Sequence, residues 1–251
     1  MAPDILLLNP NTSTEITALV ARAARATAAP GTRFTAVTAT FGPRYIGSRA
    51  QVAIASHAAL DAYANVMAAP GAHFDAVILA CFGDPGLAAL RELSPVPVIG
   101  MAEASFRLAA TEPGRFAVLT GGPRWVPMLE ELIQLLGFAD RCAAVRAVPQ
   151  TGAEIAANPA AAVAALAGQA QACADKDGAT SVILGGAGLA GLATQIQPAV
   201  RVRLIDSVSA AVAAAESPSG AAVSRCKPVP AIETVGLSPA LTALISATRR
   251  T

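Results

Sequence analysis

The sequence predicts an α/β protein with two pseudo-symmetric lobes, each built on a parallel β-sheet, and a cleft between them. Short aliphatic runs typical of buried strands alternate with segments of helical periodicity. Loops rich in Gly, Pro and Asn separate these segments. The same succession occurs twice along the chain, and 251 residues suffice for two such lobes.

Strands and helices alternate along the whole chain. Thr12 or Ser13 can cap the first helix, which we expect to end near residue 28, before Pro30 and Gly31. The other predicted helices cover residues 51–68, 87–93, 103–110, 125–136, 153–174 with a break at 158–159, 208–215 and 237–249. The predicted strands cover residues 5–8, 33–40, 76–80, 95–99, 115–119, 143–148, 181–184 and 202–205.

Three strand-and-loop segments recur in the same order. Residue 5 corresponds to 116, residue 81 to 186 and residue 100 to 206, which are offsets of 111, 105 and 106 residues. Three collinear matches at nearly constant spacing indicate an internal repeat. We therefore predict two Rossmann-like lobes, residues 1–98 plus 207–251 and residues 99–206, whose strand-end loops face each other.

Composition argues against several classes of partner. The net charge of +1, with 14% charged residues, predicts no nucleic-acid partner. No apolar run reaches membrane-spanning length, and the first residues lack the basic region and apolar core of a signal peptide, so we expect a cytoplasmic protein. The four cysteines show neither CxxC pairs nor histidines at zinc spacing, which predicts no metal site and no disulfide framework.

Cys81 is the first candidate functional residue, because it ends a predicted buried strand and a Gly/Pro loop follows it. Parallel sheets bind ligands at this edge. We expect the next helix terminus and free N–H groups to favour the thiolate, and the N–H groups to stabilise an enolate-like oxyanion. Cys142, Cys173 and Cys226 lack this setting and are predicted to be structural.

Polar loops follow two further strands. Asn9, Asn11 and Thr12 offer amides and a hydroxyl, although helix capping is the alternative and the preferred role for Ser13. The corresponding loop in the second lobe is TGG, residues 120–122. Facing each other, these loops fit a small anion or a cyclic imide better than a nucleotide.

Residues 186–191, GAGLAG, satisfy the dinucleotide-binding pattern GxGxxG, and Asp206 follows twenty residues on. Two features weaken this alternative. The helix that follows has little room before Pro198, and the glycines recur in the first lobe as Gly83 and Gly86. We therefore expect no nicotinamide or flavin cofactor.

The motifs NPNTS (residues 9–13), CFGDPGL (81–87) and WVPML (125–129) together resemble the aspartate/glutamate/hydantoin racemase superfamily, above all its hydantoin and allantoin racemase branch. The resemblance runs from about residue 5 to 215. It implies an active site between the lobes, no metal, no organic cofactor and a homo-oligomer. It also implies two cysteines, one per lobe: one removes the Cα proton and the other returns a proton to the opposite face.

The chain departs from this pattern at the second cysteine. Cys81 matches the first one, but Gly186 stands where the second is expected, and Gly47 stands where the family usually has an acidic residue. A positioned acid/base contributes about 10²–10⁴-fold to a rate. Three alternatives follow: weak racemisation that uses water or another side chain, one-sided chemistry such as decarboxylation of a malonate-like acid, or a binding protein without turnover, natural or engineered.

The predicted function is cofactor-independent racemisation or epimerisation at the Cα of a small carboxylate or hydantoin. The catalytic positions are Cys81 and Gly186, the latter marking the missing thiol. The remaining predicted site residues are expected to bind substrate: Asn11, Phe82, Gly83, Thr120, Gly121, Gly122 and Ala187.

Overall fold

Two four-stranded parallel sheets form the centre of the protein. The computed structural model describes residues 2–217 and 233–247. The strand orders are β2-β1-β3-β4 and β6-β5-β7-β8. The first sheet comprises β1 (Asp4–Asn9), β2 (Arg33–Thr38), β3 (Ala76–Leu79) and β4 (Val98–Gly100), and the second comprises β5 (Arg115–Gly121), β6 (Cys142–Val148), β7 (Ala179–Gly185) and β8 (Arg203–Asp206).

Helices connect successive strands, as parallel pairing requires. In the first lobe these are α1 (Thr14–Thr27), α2 (Arg49–Met67) and α3 (Leu87–Leu93), and α4 (Met101–Ala110) leads to the second sheet. The second lobe has α5 (Trp125–Leu135), α6 (Gly152–Ala157), α7 (Pro159–Asp177) and α8 (Ala193–Ile196), with short 3₁₀ turns at Ala139–Arg141, Ala187–Leu189 and Gln197–Ala199. The chain then forms α9 (Ser207–Glu216) and α10 (Pro239–Ala247).

Local sequence explains where the main helices begin and end. Ser13 caps α1 by accepting a hydrogen bond from the Ile16 N–H at 3.2 Å. Thr151 and Glu154 form a capping box at the start of α6, and Pro159 occupies the first turn of α7. Gly178 ends α7 in the left-handed conformation that glycine adopts without strain.

Two late helices return the chain to the first lobe. α9 packs on α1 and α4, so residues from both lobes share one continuous apolar core. α10 packs on α2, where Leu241 is buried and Leu244 contacts the core behind the first sheet. The C-terminal helix α10 therefore lies against a helix of the first lobe.

The predicted fold class is confirmed, and the internal repeat is visible in the strand order. The repeated strands β1 and β5, β3 and β7, and β4 and β8 occupy equivalent places in their sheets. Among the strand boundaries, β4 begins at Val98 rather than at residue 95, since Pro95 and Pro97 lack an N–H for the sheet ladder. The residue ranges given for the two lobes stay a prediction.

Candidate active site between the two sheets

A cavity of about 500 Å³ lies between the lobes. It is bordered by the loops that follow β1 and β3 in the first sheet and β5 and β7 in the second. In each sheet these two strands are neighbours whose connections run to opposite sides, the place where open α/β sheets bind ligands. The predicted residues that line it are Asn11, Cys81, Phe82, Thr120, Gly121, Gly186 and Ala187.

The Cys81 loop lies directly against the second lobe. Cys81 lines the cavity and is only 6% exposed. The next ring, that of Phe82, covers Gly185 so closely that a Cβ on Gly185 would lie 2.4 Å from a ring carbon. A Cβ on Gly83 would similarly lie 2.6 Å from the Trp125 ring. The loops after β3 and β7 therefore meet, as the repeat predicts.

The Cys81 thiol is protonated in the free protein, contrary to the expectation of a stabilised thiolate. Burial raises the pKa of Cys81 to about 12, and the nearby Asp84 carboxylate raises it further. The thiolate of Cys81 is thus a rare and strongly basic species.

Asp84 links the Cys81 loop to α4. Its backbone has a φ of 48°, unusual for a residue other than glycine, and its N–H donates to the Cys81 carbonyl at 3.1 Å. Its carboxylate accepts from the N–H groups of Ala102 at 3.0 Å and Glu103 at 2.8 Å, at the start of α4. Burial raises the pKa of Asp84 to about 7 although these N–H groups favour the charged form.

Gly186 faces the cavity from the second lobe, in a conformation that favours glycine. Its φ is 149° and its ψ 134°. A Cβ there would lie 3.8 Å from the Thr120 hydroxyl and 3.2 Å from a Leu189 methyl group. The space for a small side chain exists, but the backbone disfavours one.

Hydrogen-bond donors without protein partners surround the cavity. The Asn11 carbonyl oxygen accepts from the Asn9 amide at 3.0 Å and from the Ser13 N–H at 2.9 Å, which orients the Asn11 amide group. In the part of the chain that the structure describes, the Asn11 NH₂ and the backbone N–H groups of Phe82 and Ala187 make no hydrogen bond. These groups are available to a carbonyl or carboxylate oxygen of a ligand.

Two predicted residues lie behind the cavity wall. Gly83 lies under Trp125, and Gly122 donates its N–H to the Val148 carbonyl at 3.1 Å. A Cβ on Gly122 would lie 3.0 Å from the phenol oxygen of Tyr45. Both glycines therefore allow an aromatic side chain to approach, and neither lines the cavity itself.

Sequence reasoning missed the two aromatic residues of the wall, Tyr45 and Trp125, as site residues. Tyr45 belongs to the first lobe, but its ring lies against the second, with a ring carbon 3.9 Å from where a Cβ of Gly152 would stand. Burial raises the pKa of Tyr45, while the indole N–H of Trp125 and the backbone N–H of Gly152 act on the phenol oxygen in the opposite direction. The position of Tyr45 in a Gly/Pro loop after a predicted strand was the sequence feature that could have marked it as a site residue.

The rim combines charge with an apolar wall. Arg44 forms an exposed ion pair with Glu15 at 3.0 Å, and Glu15 also accepts from the Ser13 hydroxyl at 2.8 Å. Arg22 lies at the same rim. The apolar wall is supplied by α1 and α6 through Ile16, Leu19, Ala153, Ala156 and Ala157.

The GxGxxG segment departs from dinucleotide-binding geometry. A 3₁₀ turn lies within it, and the only α-helix between it and β8 is the four-residue α8. Asp206 accepts from the Gly191 N–H at 2.7 Å and caps α9. Within residues 2–217 and 233–247, no cluster of three His, Cys, Asp or Glu side chains is arranged to hold a metal ion, and no helix is long and apolar enough to cross a membrane. Cys226 lies outside these residues.

Paired parallel sheets with a cysteine at the facing loops define a two-lobed α/β protein with an interlobe site. The sequence profile of the Asp/Glu/hydantoin racemase family matches residues 5–215, so the chain belongs to that family and is an enzyme of the isomerase class.

Similar proteins support this assignment. A hydantoin racemase from Paenarthrobacter aurescens is 35% identical over 214 residues, which are 85% of this chain and 89% of that protein. The crystal structure of an allantoin racemase from Pseudomonas fluorescens has 35% identity and a TM-score of 0.86, and the match covers 93% of this chain and 100% of the other. An allantoin racemase from Klebsiella pneumoniae, also 35% identical, has a TM-score of 0.83 over 96% and 98% of the two chains.

Proposed function

We propose that this protein is a cofactor-independent racemase of the hydantoin racemase type, which uses Cys81 as general acid/base at the Cα of a hydantoin or small carboxylate. The observation that carries the proposal is the shared cavity: Cys81, Asn11 and Thr120 all line it, with the free N–H groups of Phe82 and Ala187 beside them. The resemblance of the chain to hydantoin and allantoin racemases supports the same substrate class.

The proposed chemistry begins with proton removal by the Cys81 thiolate. The C–H bond at Cα breaks, an S–H bond forms, and the electron pair moves onto the adjacent carbonyl oxygen. N–H groups aimed at that oxygen stabilise the developing charge. Because burial raises the pKa of Cys81, its thiolate is a stronger base than an ordinary one, although it is rarely present at neutral pH.

The polar groups of the cavity suit a cyclic imide. The NH₂ of Asn11 can donate to a ring carbonyl, and the Thr120 hydroxyl can either donate or accept. The apolar wall from α1 and α6 leaves room for a substituent on the stereocentre. We propose no cofactor for this reaction. Cytoplasmic location and assembly into a homo-oligomer stay predictions.

Gly186 favours a second candidate, one-sided chemistry. With a thiol on one face only, Cys81 could protonate the carbanion left by decarboxylation of a malonate-like acid. A binding protein without turnover is the third possibility. Solvent deuterium exchange at Cα separates racemisation from a binding protein: inversion with exchange supports racemisation, and retained binding with neither supports a binding protein. Release of CO₂ from a malonate-like acid would support the decarboxylase.

The decisive experiment follows deuterium incorporation and optical rotation with each pure enantiomer of a 5-substituted hydantoin. Cys81→Ala is expected to abolish exchange and inversion. Cys142→Ala is the matched control, because Cys142 is half-buried at the start of β6 and does not line the cavity. Unchanged turnover in Cys81→Ala would refute the proposed function.

A further inference from the structure

The site lacks a cysteine at Gly186 to act as the second acid/base, and only a few cavity residues carry a transferable proton. Among the residues that line the cavity, the hydroxyl-bearing side chains on or against the second lobe are Thr120 and Tyr45. An aliphatic alcohol such as Thr120 is a far weaker acid than a phenol. Glu15 is at the solvent-exposed rim, paired with Arg44 and hydrogen bonded to Ser13.

Tyr45 crosses from the first lobe to the second. Its phenol oxygen lies near the backbone of Gly122, and its ring lies near Gly152, which in turn lies next to Gly188. Gly122 directly follows β5, and α6, which begins at Gly152, packs on the turn Ala187–Leu189 that follows Gly186. The phenol therefore lies against the second lobe, the lobe in which the family pattern expects the second cysteine.

The environment of the phenol leaves its proton free for a ligand. A phenol oxygen accepts up to two hydrogen bonds and donates one. The indole N–H of Trp125 and the backbone N–H of Gly152 favour the phenolate and oppose the burial that raises the pKa of Tyr45. Neither group can accept, and no acceptor for the phenol O–H is found among residues 2–217 and 233–247. The same two donors would stabilise the phenolate after proton transfer.

Gly47 contributes to this placement. A Cβ there would lie 2.9 Å from a ring carbon of Tyr45, closer than side chains approach without a shift. The N–H of Gly47 donates to the Gln51 side chain at 2.8 Å, which fixes the loop. The absence of a side chain at position 47 thus lets the Tyr45 ring reach the second lobe.

We propose that Tyr45 is the second acid/base of this site and transfers its phenol proton to the face of Cα opposite Cys81. This inference rests on the proposed racemase function. It identifies, within this chain, a replacement for the thiol absent at Gly186.

Atoms and charges balance in both directions. The Cys81 thiolate takes the Cα proton of one enantiomer, and the electron pair of the broken C–H bond moves onto the carbonyl oxygen. That pair then returns to form a C–H bond with the proton of Tyr45, whose O–H bond breaks to leave phenolate. The opposite enantiomer reacts in reverse. One negative charge alternates between sulfur and oxygen, and proton exchange with solvent resets the pair.

The charged groups around the phenol are Cys81, when it is a thiolate, and Glu154 of α6, and both oppose a second negative charge there. Arg44, the neighbouring residue in the chain, is paired with Glu15. The site therefore favours a single negative charge shared by Cys81 and Tyr45, which a two-base racemase requires.

Tyr45→Phe tests the proposal through deuterium exchange of each enantiomer. We expect inversion to fall by about 10²-fold or more, while the enantiomer whose Cα proton faces Cys81 still exchanges with retention. Tyr63→Phe is the matched control, since Tyr63 is the other of the two tyrosines and is buried in α2 away from the cavity. The role of Tyr45 would be refuted if Tyr45→Phe inverted its substrate at a rate within about threefold of the unmodified protein. It would also be refuted if a folded Tyr45→Phe variant lost exchange equally for both enantiomers.

A second measurement avoids any loss of folding. In the Tyr63→Phe protein, biosynthetic incorporation of 3-fluorotyrosine labels Tyr45 alone with a more acidic phenol. For the enantiomer whose Cα proton faces Tyr45, the pH profile of the deuterium exchange rate is expected to shift to lower pH. For the enantiomer whose Cα proton faces Cys81, the pH profile is expected to stay unchanged. An unshifted profile would refute the role of Tyr45. Absence of inversion and exchange in the unmodified protein would instead refute the racemase function itself.

Discussion

Raising the pH should activate this enzyme steeply, because its proposed general base, the Cys81 thiol, is almost entirely protonated at neutrality. With a pKa of about 12 for Cys81, about one molecule in 10⁵ carries the thiolate at pH 7. Each pH unit multiplies that fraction by about ten. We therefore expect kcat/KM to rise about 100-fold between pH 7 and pH 9, with a logarithmic slope near one.

Two assays measure the ionisation of Cys81 independently. Initial rates of inversion give kcat/KM, which reports ionisations of the free enzyme and of the substrate. The far-ultraviolet absorbance of thiolate, taken as the difference between the unmodified protein and Cys81→Ser, isolates Cys81 from the other three cysteines. A substrate that stays neutral over the pH range keeps its own ionisation out of the rate profile.

The stability of the fold offers a check of the same pKa. The pKa of Cys81 is raised above the value of 9.0 for an ordinary thiol, so the unfolded chain loses its proton first as the pH rises. The free energy of unfolding should then fall above about pH 9, and less so in Cys81→Ser. A thiolate midpoint at or below about 8.5, or a flat rate between pH 7 and pH 9, would refute the reasoning.

Three further changes probe the scaffold of the site. Gly186→Cys and Gly186→Ala should each lower the free energy of unfolding by about 1–3 kcal/mol in chemical denaturation, because the φ of Gly186 is 149°. Only Gly186→Cys should raise the rate of inversion. Equal inversion rates in the two variants would contradict the pairing of the lobes. Gly188→Ala should cost about 1–3 kcal/mol or more, since its Cβ would lie 2.0 Å from a backbone oxygen. Gly168→Ala, at an exposed position of α7, should instead gain about 0.5–1 kcal/mol in the same unfolding experiment. Asp84→Ala should lose about 1–2 kcal/mol with the α4 cap and lower the pKa of Cys81 in a thiol titration, and an unchanged titration would contradict the proximity of the two groups.

The fold was predictable because its signals are local. The central strands β1, β3, β5 and β7 contain short aliphatic runs, and the repeat places equivalent strands at equivalent positions in the two sheets. Cys81 and Gly186 lie just after such strands, and Thr120 lies at the end of one. The rule that parallel sheets bind ligands at these ends was therefore enough to bring them to one cavity.

The rest of the site depends on tertiary packing that periodicity does not encode. Tyr45 lies in a loop of the first lobe, and its ring reaches the other lobe only because Gly47 and Gly122 make room for it. The pKa of Cys81 depends on how completely the lobes bury it and on Asp84, which is held by the start of α4. Neither property has a signature in the strand that carries the thiol.

The proposed pairing of unlike acids, the Cys81 thiol and the Tyr45 phenol, has a thermodynamic consequence. Two enantiomers with a single stereocentre have equal free energies, so the Haldane relation requires kcat/KM to be the same for both. Unequal acids can therefore change kcat and KM for each enantiomer only together, so that the ratio kcat/KM stays the same. A racemase of this construction should saturate at different concentrations of its two substrates, and turn over at correspondingly different maximal rates.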